Sequence, residues 1–236
     1  MKPATVVTNK HLLPMYSARG AVPMIFSPIG TLIWSGITEI LIVSSKEHSG
    51  PIIQNLGDGH RFGADFTYKI QDPDISGPGI AAALKLSKGF TGSQRFAVIL
   101  GDNFFENSFF EEFSAFQTSE SKAMIFTKRV DDPQRFGVYH EGSIEEKPKN
   151  PKSNMAVTGL YLYTEEVYEL AANLKPSERG ELEISDINNH YCMVDQAEVK
   201  EVKGFWSDMG TPTSMIKTLE FLNYSKDLPH FLSLGR

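Results

Sequence analysis

Two aspartates stand at positions where a folded chain could hold a divalent cation against phosphate. Asp102 lies in Gly101-Asp102-Asn103, directly after the apolar run Phe96 to Leu100, and Asp208 lies in Trp206-Ser207-Asp208-Met209-Gly210-Thr211. A carboxylate at the carboxyl end of a buried strand lines the ligand crevice of a doubly wound sheet and can bind Mg²⁺. Each aspartate taken alone also reads as a turn residue, because Asx side chains cap turns routinely, and their distance in sequence says nothing about their distance in space. Lysines offer a second chemistry. Lys147 sits in Glu145-Glu146-Lys147-Pro148, and Lys10 precedes His11 in Thr8-Asn9-Lys10-His11-Leu12-Leu13-Pro14. A lysine is a compact charge suited to one phosphate, and a neighbouring glutamate can accept from sugar hydroxyls. A solvated charge run at 145–148 and a surface cation at Lys10 are the plain alternatives. His11 reads as a structural hydrogen-bonding residue rather than a general base.

These residues need elements to position them. Met24 to Ser35 reads as a helix ended by Gly36. Ile40 to Val43, Phe66 to Ile70 and Phe96 to Leu100 read as short strands. Gly79 to Ser87 and Phe109 to Phe116 read as helices, and Ala123 to Val130 as a strand. Short β-rich runs alternating with amphipathic helices predict an α/β fold with a mainly parallel sheet and helices on both faces. Further on, Phe136 to His140, Ala156 to Tyr163 and Val199 to Val202 read as strands, with Glu145 to Pro148 a loop. Helices are expected after Thr164, with acidic residues in the first turn, and after Ser185. Thr211-Pro212 places a hydroxyl cap before a proline at the first helical position of a helix running towards Asn223. The residues from about Asp227 read as a loose tail. No repeat or linker divides the chain, so residues 1–236 read as one domain.

Composition narrows the classes. The chain has 236 residues, 41% of them hydrophobic, and a net charge of −6. That supports a sizeable core and argues against a nucleic-acid surface. No apolar run reaches the ~20 residues that span a bilayer, and 1–10 carries no apolar leader core. The single cysteine, Cys192, excludes a disulfide framework within one chain and reads as a buried structural thiol. The expectation is a cytoplasmic protein.

Eight segments match one family in order and in kind: NKHLLP (9–14), PMIFSPIGTLIWSGITEILIVSS (23–45), LGDGHRFG (56–63), VILGDN (98–103), DPQRFGV (132–138), EEKPKNPKSNMAVTGLYLY (145–163), LKPSERGELEISDIN (174–188) and WSDMGTP (206–212). The chain resembles bacterial sugar-1-phosphate nucleotidyltransferases, most closely the glucose-1-phosphate thymidylyltransferases. The resemblance implies a Rossmann-like α/β sheet carrying a sugar-binding subregion. It implies a reaction in which a sugar-1-phosphate oxygen attacks the α-phosphate of a nucleoside triphosphate, dTTP foremost, and pyrophosphate leaves. Asp102 and Asp208 match the family's metal-holding aspartates, with Mg²⁺ as the metal. Lys10 and Lys147 match its phosphate-binding lysines. Glu146, Gly137, Thr158, Gly159 and Glu183 fall at positions facing the sugar, and Gln71 and Gly79 where the base is gripped. A homo-oligomer serving deoxysugar synthesis is implied as well.

The sequence departs from that family at its start. The family opens with a strand and a loop of the form G-G-x-G-T-R-L, and Met1-Lys2-Pro3 aligns with the tail of that loop. The sequence as written therefore reads as an N-terminally truncated form of the fold. Either Met1 is an internal methionine of a longer enzyme, or the chain is a shortened paralogue that binds a nucleotide sugar or partners a full-length subunit without catalysing. The family strand lies centrally, so the neighbours it pairs with are expected to be left unpaired around an opened core. The chain as written is expected to hold a triphosphate poorly and to show little or no transfer activity, because backbone N–H groups that would cradle the triphosphate are missing. Two smaller departures bear on specificity: Ser17 to Pro23 is longer than usual, with Arg19 a substitute cation, and Ala82 stands where glutamine is common.

Overall fold

The computed structural model describes residues 5, 8–17, 20–177 and 179–224. Met1-Lys2-Pro3, Arg19 and the tail from Asp227 fall outside them. The elements run β1 (Pro14–Ser17), β2 (Gly20–Pro23), α1 (Phe26–Trp34), β3 (Glu39–Ser45), α2 (Lys46–Leu56), β4 (Asp65–Gln71), α3 (Pro73–Ser76), α4 (Ile80–Thr91), β5 (Phe96–Ile99), β6 (Phe104–Phe105), α5 (Phe110–Thr118), β7 (Ala123–Arg129), β8 (Gly137–His140), β9 (Ser143–Glu146), β10 (Met155–Tyr163), α6 (Val167–Asn173), α7 (Ile184–Met193), β11 (Ala197–Glu201), β12 (Trp206–Ser207) and α8 (Pro212–Tyr224).

The expected alternation of strands and helices is present, and the central sheet is mostly parallel. β11 lies parallel to β7 in the six-stranded sheet, and β3 lies parallel to β4 in a two-stranded sheet of their own, in register from Glu39–Asp65 to Ser45–Gln71. β10 and β9 run the other way: β10 pairs antiparallel with β5, β7 and β8, and β9 pairs antiparallel with β8. Strand pleating sorts side chains onto two faces. Met124 and Phe126 of β7 and Leu160 and Leu162 of β10 enter one apolar cluster with α1 and α5. Ala123 and Ile125, with Tyr161 and Tyr163, enter another with α4, α6 and α7. Both faces of the sheet are therefore covered by helices.

Two expectations need correction. Glu145 and Glu146 do not sit in a loop: they end β9, which forms a hairpin with β8 that pairs Gly137 with Glu146. The turn signal in Lys147-Pro148 marks the strand's end rather than its body. The helix α2 also went unread, because Gly50 and Pro51 fall inside it. Only Ile52 and Leu56 of it are buried, so its apolar periodicity is weak.

Candidate active site

Asp102 and Asp208 converge through a short bridge of backbone. β6 follows Asp102 by one residue, β12 precedes Asp208, and the two pair antiparallel, Trp206 with Phe105 and Ser207 with Phe104. Asn103 locks the junction. Buried, it accepts the indole N–H of Trp206 at 2.8 Å and the backbone N–H of Gly159 at 3.0 Å, and its own amide donates to Asp102 at 3.1 Å. One side chain thus ties the end of β5 to β10 and β12. Gly159 must lack a side chain for this: a Cβ there would lie 2.5 Å from the Asn103 amide nitrogen. The carboxylates meet beside Gly210. The Oδ2 atoms of Asp208 and Asp102 lie 3.0 and 3.8 Å from the point where a Cβ of Gly210 would stand, so they are no farther apart than those lengths together.

Each aspartate is held by a cation. Lys10 Nζ donates to Asp102 Oδ2 at 2.5 Å. Arg135 donates to Asp208 at 2.6 Å and to Asp132 at 2.9 Å, while its guanidinium lies over the Phe136 ring. His11 packs against Gly101, and burial foremost, with the Lys10 charge adding to it against the pull of Asp102, lowers its pKa to about 4. A neutral imidazole at pH 7 agrees with the structural reading of His11. Met209, beside Asp208, is buried with φ +40°, a left-handed conformation that non-glycine residues adopt at a cost of about 1–2 kcal/mol.

A second cluster forms around the β8–β9 hairpin and the start of α7. Glu146 accepts from the Ser185 hydroxyl and pairs with Lys147 and with Arg179, each at 3.3 Å. Arg179 also clamps both oxygens of buried Glu183 at 2.9 Å, and the Ser177 hydroxyl donates to Glu183 at 2.7 Å. Gly137 leaves room here: a Cβ on it would stand 3.1 Å from Ser185 Oγ and 3.4 Å from Glu146 Oε2. Lys147 also has positive φ, +44°, and its N–H bonds to Phe136 O at 2.9 Å. Tyr161 lies between the clusters. Its buried hydroxyl is pushed well up in pKa, by burial first and then by the charges of Glu146 and Asp102. Thr158 is buried and donates to Phe126 O. Gln71 donates to the carbonyls of Gly77 and Gly79 at 3.0 and 3.1 Å, closing the turn before α4. Gly79 has φ +101°, and a Cβ there would meet Leu182 O at 2.6 Å.

Comparison with known proteins decides the family. Residues 1–225 match the family described as nucleotidyl transferase. The chain belongs to the nucleotidyl transferase family. Its relatives include the glucose-1-phosphate thymidylyltransferases of Neisseria meningitidis, 38% identical over 93% of this chain and 77% of theirs, and Mycobacterium tuberculosis, 36% identical over the same shares. A crystal structure of a Bacillus anthracis protein assigned to the same activity, in complex with sucrose, superposes with a TM-score of 0.87 at 42% identity, covering 98% of this chain and 93% of that one. A UDP-glucose pyrophosphorylase in complex with UDP-glucose shares the fold at a TM-score of 0.79 and 20% identity.

Nucleotidyl transferases of this family generally use a divalent metal, and the two aspartates fit one. They are hard oxygen donors that converge on one point and are neutralised here by side-chain cations. Among the described residues no three metal-binding side chains cluster, which suits an ion that completes its shell with water and substrate phosphates. Two residues of this nucleotidyl transferase escaped sequence reading. Arg135 and Arg179 both lie within segments that carried the resemblance, but only the folded geometry shows the carboxylates they hold. Among the described residues no helix is long and apolar enough to cross a membrane. Cys192 is half-buried, and burial raises its pKa to about 11, as an inert thiol requires.

Proposed function

We propose that this nucleotidyl transferase moves a thymidylyl group from dTTP to glucose 1-phosphate and releases pyrophosphate, with Mg²⁺ as the metal. The observation that supports the reading is the meeting of Asp102 and Asp208 beside Gly210, with a separate cluster of paired charges at Glu146, Lys147, Arg179 and Glu183. The relatives that carry the thymidylyltransferase name support the choice of base and sugar.

A phosphate oxygen of the sugar phosphate attacks the α-phosphorus, and the bond to the bridging oxygen of the β-phosphate breaks. The nucleophile is already ionised, so no general base is needed. The work left to the protein is alignment and charge neutralisation. Asp102 and Asp208 would hold the metal ion, which when bound offsets charge on the phosphate oxygens. Lys10, released from Asp102, faces the triphosphate, and Lys147 holds the sugar phosphate. Glu146 and Glu183 accept from sugar hydroxyls beside the space left at Gly137, with Thr158 and Gly159 forming the wall. Gln71 and the Gly79 turn face the base.

The test is radiolabelled product formation from dTTP, glucose 1-phosphate and MgCl₂, sensitive enough for slow turnover, with UTP and mannose 1-phosphate as competitors. dTDP-glucose formation above that of an Asp208→Asn control is expected. Equal signal from the control, or preference for another sugar or base, overturns the assignment.

A further inference from the structure

Arg135 is held on three sides. It closes a short 3-10 turn, Pro133–Arg135, in which the proline ring fixes the first position and the Arg135 N–H bonds to Asp132 O at 3.3 Å. One terminal nitrogen of its guanidinium donates to Asp132 at 2.9 Å, and the other donates to Asp208 at 2.6 Å. Its flat face lies over the Phe136 ring, 4.9 Å from the centroid. Lys10, on the other aspartate, differs. Its ammonium makes one ion pair among the described residues, at the end of a flexible stem, so it can swing from Asp102 to a phosphate. A planar fork set between two carboxylates and a ring has no such freedom. Asp208 can keep this partner and still serve an ion, because a carboxylate offers about four lone-pair sites.

The next residue carries the other half of the site. Phe136 O accepts the Lys147 N–H at 2.9 Å, and Gly137 opens β8 opposite Glu146. The Phe136 ring packs 5.3 Å from that of Trp206, which stands two residues before Asp208 and donates to Asn103. Two consecutive residues therefore hold the two clusters: Arg135 holds Asp208 by its side chain, and Phe136 holds Lys147 by its backbone. Their Cα atoms are a single peptide apart, about 3.8 Å. Transfer needs the spacing of these clusters fixed. The attacking oxygen must stand about 3–3.5 Å from phosphorus, aligned with the leaving bond, and a misplacement of ~1 Å can cost about 10² in rate. A hold that persists as substrates arrive meets this need, whereas one that they displace does not.

We propose that Arg135 is a positioning residue for transfer: through the segment 132–137 it fixes Asp208 relative to Lys147, and it keeps that hold as substrates bind. The inference rests on the transfer reading above. The test compares Arg135→Gln, Arg135→Lys and Asp132→Asn in the full chain, with Asp208→Asn as control. Radiolabelled product formation gives the rate at saturation and the half-saturating concentrations, and electron paramagnetic resonance gives Mn²⁺ binding without nucleotide. In Arg135→Gln the saturating rate should fall about tenfold to hundredfold, while both half-saturating concentrations stay within about threefold, as loss of an alignment made for the transition state requires. Arg135→Lys should recover little of the rate, since one ammonium cannot fork two carboxylates. Asp132→Asn loosens only the outer anchor and should lose a smaller part; its half-exposed side chain makes it the variant least able to disturb folding. Mn²⁺ should bind Arg135→Gln at least as tightly as it binds the unaltered chain, because a cation beside the aspartates is gone. An unchanged rate in Arg135→Gln, full recovery in Arg135→Lys, or Mn²⁺ binding that weakens together with the rate overturns the role. Asp208→Asn that binds Mn²⁺ as well as the unaltered chain overturns the metal reading itself, and this role with it, so the two failures are told apart.

Discussion

Lys10 and Arg135 occupy the carboxylates that a metal would take, and this sets what single substitutions should do. Asp102→Asn and Asp208→Asn each remove one charged oxygen pair from the point beside Gly210. Losing one such electrostatic group typically costs about 10²–10³ in rate. The ion pairs are partly exposed, so their loss should change stability by no more than about 1 kcal/mol. Steady-state rates and thermal melts of the same variants check both halves: a variant that loses rate and unfolds together would make the aspartate structural. Lys147→Ala tests the second cluster. It should raise the KM for glucose 1-phosphate about tenfold or more, worth ~1.4 kcal/mol, and leave the KM for dTTP in place. Equal loss for both substrates would assign Lys147 a shared role.

Elements meet where β5, β10 and β12 share Asn103. Gly159→Ala would drive a methyl group to within 2.5 Å of the Asn103 amide. Overpacking of this kind costs about 1–3 kcal/mol. The larger effect should fall on kcat, since Asn103 also hydrogen-bonds Asp102. Urea denaturation and kcat measured side by side are the check; stability lost with kcat retained would show that Asn103 does not aim Asp102. At the other end of β7, Lys122 donates to Glu166 at 2.5 Å, just before α6. The Lys122 hydrogen bond foremost, aided by Thr164, lowers the Glu166 pKa to about 2. A carboxylate with a depressed folded pKa stabilises above its unfolded pKa of 4.5 and loses that contribution as pH falls through 2. The pair is exposed to solvent, which screens it to a fraction of a kcal/mol. Glu166→Gln should accordingly melt slightly lower at pH 7 and lose part of the decline between pH 4.5 and 2, as read from melts across that range.

Across the whole molecule, protection should be uneven. β10 pairs with three strands, while β3 pairs, among the described residues, with β4 alone. Strands with few partners open locally at lower free energy. Native-state hydrogen exchange of the free chain should find the amides of β7 and β10 among the slowest and those of β3 and β4 released in a separate, lower-energy opening. A single common opening for all four strands would mean that the β3–β4 pair is coupled to the rest of the core as tightly as β10 is.

Much of the layout was legible in the residues themselves. Apolar runs and helical periodicity report burial locally, so β3, β4, β5, β7 and β10 and the cap Thr211, whose hydroxyl accepts from Ser214 N–H, could be read one segment at a time. The matched segments carried the family, and Asp102 and Asp208 stood out as residues after or before the right elements. Their meeting could not be read, because it depends on the pairing of two-residue strands, Phe104–Phe105 with Trp206–Ser207, too short to leave a periodic trace. Arg135 and Arg179 were invisible for a related reason: a surface arginine and a carboxylate clamp look alike until the partners are in place. The end of β9 was read as loop because Glu145 and Glu146 form a charge run before Lys147-Pro148, and the strand buries a single side chain, Ile144. Which carboxylates Lys10, Arg135 and Arg179 reach belongs wholly to tertiary structure, since spacing along the chain records which residues are apolar or charged and only three-dimensional packing records which of them meet.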